Sequence, residues 1–74
     1  MKAKVIRDIS PVLKVGDILV PKRVNRLGSM EDFYVKEGEE FRKRTASTPP
    51  NGYPKSAVES MDGWFEILKH ESTN

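Results

Sequence analysis

"NGYPKSAVES", residues 51–60, is the stretch on which the fold turns. Two turn-forming residues lead into an aromatic, a proline, small and polar residues, and a valine followed by an acid. Pro54 suits the first position of a helical turn, where its missing N–H costs nothing. Ser56, Ala57 and Val58 carry the turn round once before "MDG" (61–63) breaks it. A single turn of helix, with Val58 pointing inward and Tyr53 packed over one end, is the piece that closes a small β-barrel before its last strand.

On either side the chain reads as short strands. "AKVIR" (3–7) is β-branched, and "VLKVGDILV" (12–20) holds two apolar pieces around Gly16 and Asp17, the second ended by Pro21. "DFYVKEG" (32–38) places Phe33 and Val35 on one face and Tyr34 and Lys36 on the other. "EEFRKRT" (39–45) has one apolar anchor, Phe41, among alternating charges, as an edge strand would. "GWFEILK" (63–69) sets Phe65 and Ile67 against Trp64 and Leu68. Alternation at period two is the mark of half-buried strands, and five of them in so few residues predict an all-β barrel or sandwich. "KEGEE" (36–40) reads as a tight hairpin at Gly38, "NRLGSME" (25–31) as a longer flexible loop, and the prolines keep "ASTPPN" (46–51) extended. The predicted core is Val5, Val15, Ile18, Val20, Phe33, Val35, Phe41, Val58, Phe65 and Ile67.

Seventy-four residues make one domain, read as residues 1–70 with a C-terminal tail at 71–74. A core this small relies on close packing, because smaller chains bury a smaller share of their surface. There is no cysteine, which excludes disulfides and thiolate metal sites and suits a reducing cytosol. The apolar run of "MKAKVIRDIS" is broken at Arg7 and Asp8, too soon for a signal-peptide core. No stretch approaches the roughly 20 apolar residues that span a bilayer, so the chain is expected to be cytoplasmic with no membrane partner.

Catalysis has little to stand on. The single histidine, His70, cannot build a metal site alone and reads as a solvated residue near the terminus. Asp17, Asp32 and Asp62 sit where Asp usually makes local turns, and the five glycines are too scattered for a phosphate loop. The chain is expected to be no enzyme, with no cofactor and no metal.

Two stretches resemble the SH3 family. "LKVGDIL" (13–19) is similar to that family's early segment, a hydrophobic and a lysine-bearing turn with Gly-Asp before an apolar strand. "GYPKSAVE" (52–59) is similar to its late segment, a glycine and aromatic, then proline, three residues, valine and an acid. The resemblance covers about a fifth of the chain and implies a five-stranded SH3-like barrel with one short helical turn before the last strand. Members that bind proline-rich peptides carry an aromatic just before the valine, where this chain has Ala57. Their "ALYDY"-type start and central tryptophan pair are absent too, so the peptide groove does not carry over, apart from an analogy for Pro54 and Tyr53. The general look of the chain, ending in a "WFE" strand, is also similar to small barrel proteins of phages and prophages, which implies an accessory protein that modulates a host protein.

Binding is therefore the expected activity, with another protein as first choice of partner. Trp64 either caps an open end of the barrel or stands exposed; exposed, it would form a recognition patch with Tyr34 and Tyr53, and with Arg42 and Arg44 at the polar rim. The runner-up is nucleic acid. "PKRVNR" (21–26) and "FRKRT" (41–45) supply Lys22, Arg23, Arg26, Arg42, Lys43 and Arg44, which could follow a phosphate backbone if they lay on one sheet. With 13 basic residues against 11 acidic, a net charge of +2, composition alone does not choose between the two. "RKRTAS" (42–47) also has the look of a basophilic kinase site.

Overall fold

The computed structural model describes residues 1–68 of the 74; His70 and the 71–74 tail lie outside the described residues. The chain is all-β. Five antiparallel strands, β1 (Lys2–Val5), β2 (Ile18–Arg26), β3 (Ser29–Lys36), β4 (Gly52–Pro54) and β5 (Phe65–Leu68), form one sheet of order β4-β3-β2-β1-β5. The sheet curls into a half-barrel, and one short helix, α1 (Lys55–Glu59), precedes the last strand, as the reading of residues 51–60 expects. Pro54 sits one position earlier than expected. It is the last residue of β4 and the N-cap of α1, with φ −56° and ψ 143°, and it joins strand to helix without a change in φ. No helix among the described residues is long and apolar enough to cross a membrane.

Residues paired across an antiparallel ladder share a face, so the register sorts the side chains. One face carries Ala3, Val5, Leu19, Tyr34 and Phe65. These pack with Leu13 and with Val58 of α1 into the main core. Leu13 arrives there through a local turn: Ser10 Oγ accepts the N–H groups of Val12 and Leu13, both at 3.2 Å, folding the loop over the sheet. The opposite face carries Val24, Phe33 and Val35, covered by Phe41. The sheet is thus apolar on both sides at β3.

That double coverage corrects the expected core. Val5, Phe33, Val35, Val58 and Phe65 are buried as expected, with Phe41 and Ile67 half-buried against them. Val15 is not core. It is 59% exposed in a turn, where its N–H donates to Asp8 Oδ1 at 2.8 Å. In "DILV" the fully buried residue is Leu19, while Ile18 and Val20 are half-buried, because the deeper core lies on the Leu19 face.

Three local expectations also change. Pro21 does not end β2, which runs on to Arg26. The β1–β2 ladder pairs only Ile18 and Leu19, so from Pro21 onward β2 borders β3 alone, and an edge tolerates a missing N–H. Residues 25–31 are no long loop. Arg26 pairs with Ser29, leaving a two-residue turn of Leu27 (φ 54°) and Gly28 (φ 83°), the twist-matched hairpin turn that needs positive φ at both positions. The 39–45 segment forms no strand; the edge is β4 instead. Gly38 is in a turn with φ 86°, closed by Glu39 N–H donating to Lys36 C=O at 3.1 Å, but the chain then enters an irregular arm, residues 37–51.

Candidate binding cleft

The arm is tied to the sheet by Lys2–Glu37 at 3.0 Å and Lys22–Glu40 at 3.4 Å, and one side chain closes it on itself. Asn51 is buried; its Oδ1 accepts the Arg42 N–H at 2.8 Å, and its Nδ2 donates to Glu40 C=O at 2.8 Å and to Glu39 Oε1 at 3.0 Å. Pinned there, the arm lays Phe41 edge-on against Phe33, with ring centroids 4.9 Å apart at 64°. Gly52 follows in close contact with β3, where an added Cβ would lie 2.7 Å from the Tyr34 carbonyl oxygen. No side chain fits between these two strands at that point.

Arm, β4 and the tip of the β2–β3 hairpin enclose a cleft of about 550 Å³, within the range of roughly 300–1,000 Å³ usual for binding pockets. Phe33, Phe41, Pro50, Pro54 and Tyr53 give it apolar walls, and Leu27 forms its lip. Arg26, Lys43 and Arg44 are the charged lining, and not one carboxylate among the described residues lines it. Arg26 lies over the Phe33 ring, 5.5 Å from the centroid, and reaches Glu31 at 3.6 Å. Lys43 and Arg44 have no ion pair among the described residues.

Leu27 is the unusual member. Its side chain is 99% exposed, and a left-handed backbone costs a residue with a Cβ roughly 1–2 kcal/mol. Asn or Gly at that position would remove most of the strain. A leucine held there, bare to solvent, adds nothing to the fold's packing.

The cleft gathers some of the sequence-predicted site residues and leaves others out. Tyr53 and Arg44 line it, as do Arg26 and Lys43 from the nucleic-acid set. Tyr34 does not belong to any surface: it is 1% exposed, packed into the main core, because Leu13 and Val58 of α1 cover its face of the sheet. Trp64 is half-buried against that core, with the Arg7 guanidinium 4.9 Å over its ring, so the expected Trp64–Tyr34–Tyr53 patch does not form. Arg42 ties the arm down; its Nη2 donates to Pro49 C=O at 3.4 Å and its Nε is buried without a partner among the described residues. Lys22 reaches Glu40 at 3.4 Å, and Arg23 reaches Asp32 at 3.2 Å on the other face of the sheet. Strand alternation therefore splits "PKRVNR" between two faces. Sequence reasoning missed Leu27, Phe33, Phe41 and Pro50 as cleft residues. The "LG" in "NRLGSM" was the available signal, as a two-residue turn between alternating strands.

Burial first, and the Glu59 carboxylate second, hold the Tyr34 hydroxyl above its ordinary value of 10.0. A folded value above the unfolded one means that the native state keeps its proton longer. The resulting stability is fully present below the unfolded value and is lost as pH rises through the folded one. Urea midpoints between about pH 8 and pH 11 should fall for the parent and fall less for Tyr34→Phe. Equal slopes in the two proteins would remove Tyr34 as the cause.

Among the described residues no group of three His, Cys, Asp or Glu is placed to hold a metal ion. Comparison with family models, with curated proteins and with solved structures gives no match for this chain.

Proposed function

We propose that this chain is a non-enzymatic module that binds another protein through the cleft between the β2–β3 hairpin tip and the 37–51 arm. The observation that carries this reading is Leu27, a fully exposed leucine in a strained backbone at the lip of an apolar cleft lined by cations and, among the described residues, no acids. Strain kept where packing gains nothing points to function. An apolar centre inside a polar rim is the usual anatomy of a protein contact. Modulation of a host protein by a phage-type accessory protein, in the cytoplasm, rests on the sequence resemblance alone.

Nucleic acid is the weaker reading for two reasons. Of its six candidate cations, Lys22, Arg23 and Arg26 face a carboxylate, and Arg42 is committed to the arm. Single-stranded nucleic acid also stacks its bases on open ring faces, whereas Phe33 is capped by Arg26 and meets Phe41 edge-on.

Affinity capture from a cell lysate tests the choice, with and without nuclease, using the parent and a Lys43→Glu/Arg44→Glu double variant. Polypeptide capture should survive nuclease and drop by about tenfold in the double variant, a change of about 1.4 kcal/mol. Circular dichroism should show the variant still folded, since both residues are exposed. Release of the captured material by nuclease would reject the proposal.

A further inference from the structure

The chemistry of the cleft specifies what part of a protein partner enters it. We infer that it takes an extended acidic segment carrying one aliphatic or aromatic side chain, which seats between Leu27 and the Phe41–Tyr53 wall while its flanking carboxylates meet Lys43 and Arg44. This inference rests on the protein-binding reading and deepens it.

Charge complementarity is the first argument. Lys43 and Arg44 stand without ion pairs among the described residues, as Lys4, Arg7 and Lys14 do, but unlike those three they line a cleft with no acid among its described lining, while six other cations stand close to acids. Lys2–Glu37 at 3.0 Å, Arg23–Asp32 at 3.2 Å and Lys55–Glu59 at 4.0 Å are examples. A partner carrying carboxylates would complete the pattern with little desolvation at an open rim. Shape is the second. The walls are aliphatic and aromatic, with Pro50, Pro54, Leu27 and Tyr53 beside the edge-to-face Phe33–Phe41 pair. Such a surface accepts a branched or ring side chain by contact. Leu27 then works as a flap of contact area, which explains a leucine where the turn itself favours asparagine.

The test is an NMR titration with defined peptides. The probe is a capped nonapeptide of alternating Asp and Glu around a central leucine. The controls are the same peptide with Gln for every acid, the acidic peptide with a central glycine, and single-stranded oligothymidylate. The acidic leucine peptide should give saturable shifts confined to the amides of Arg26, Leu27, Lys43, Arg44 and Tyr53. Each peptide control should bind at least about tenfold more weakly. Leu27→Asn should melt no lower than the parent, its strain relieved, yet bind the probe about fivefold or more weakly. Absence of saturable shifts with the probe up to millimolar concentration overturns the inference. So do oligothymidylate binding the cleft as tightly as the probe and Leu27→Asn binding the probe unchanged. If the probe fails while nuclease-resistant capture still depends on Lys43 and Arg44, this inference fails and the protein-binding reading stands. If nuclease also releases the captured material, both fail.

Discussion

Phe65→Ala is expected to destabilise the fold by about 3–5 kcal/mol, the range for truncating a buried aromatic ring. Phe65 is 4% exposed, pairs with Val5 across the β1–β5 ladder, and meets Tyr53 edge-on with centroids 6.2 Å apart at 61°. It therefore joins three parts of the chain, β1, β5 and the stretch leading into α1. A domain of this length holds roughly 4–11 kcal/mol in all, at the usual 0.05–0.15 kcal/mol per residue. The loss should lower the melting temperature by at least about 12 °C or leave the chain unfolded at room temperature. Trp64→Ala, which truncates a half-buried ring with Arg7 over it, should lose distinctly less. Thermal unfolding followed by circular dichroism decides the matter, and a Phe65→Ala protein melting like the parent would mean that β5 is held by something other than this core.

Asn51→Ala is the second large effect, at about 2–4 kcal/mol, because it strands a polar group rather than removing apolar ones. The amide makes three hydrogen bonds in a buried position, to Arg42 N–H, Glu40 C=O and Glu39 Oε1. Glu39 and Glu40 are exposed and can turn to water, but the half-buried Arg42 N–H left without a partner carries a penalty of about 1–3 kcal/mol, and the cavity left by the buried amide adds to it. Asn51→Asp separates the two contributions. It keeps the acceptor for Arg42 N–H but replaces the donors with a carboxylate beside that of Glu39, so at neutral pH it should be no better than alanine. Because Asn51 sets the arm, both variants should also loosen Phe41 from Phe33 and blunt the cleft. Urea unfolding gives the stability, and the methyl and ring NMR signals of the Phe33 cluster report the arm. Loss of less than about 0.5 kcal/mol, the scale of an ordinary surface substitution, would show that the arm does not depend on this residue.

Those two residues also show how far the sequence could be read. Phe65 is legible: period-two alternation in "GWFEILK" and the proline before a short apolar turn are local signals, and backbone sterics impose them wherever the chain lies. The same signals foretell an all-β chain of five short strands, with Val58 turned inward from a single helical turn. Asn51 is not legible, since an asparagine beside two prolines and a glycine looks like any turn, and its three partners sit 9 to 12 residues earlier in the arm. The edge strand misread in residues 39–45 follows from the same gap: alternating charge marks exposure, which an irregular arm shares with a strand.

Tyr34 and the cations mark the remaining boundary. Alternation correctly placed Tyr34 opposite Phe33 and Val35, but it cannot tell how many faces of a sheet are covered. Leu13 and Val58 cover one face and Phe41 the other, and all of them come from distant parts of the chain. Likewise six basic residues in two short runs carry no record of which will meet an acid across a ladder. By itself the sequence determined the all-β class, the single helical turn before the last strand and, within a strand, which residues share a face, because those follow from dihedral limits and side-chain periodicity within a few residues. Folding decided which faces are buried, which charges are left unpaired and where the cleft opens, because each depends on groups that only packing brings together.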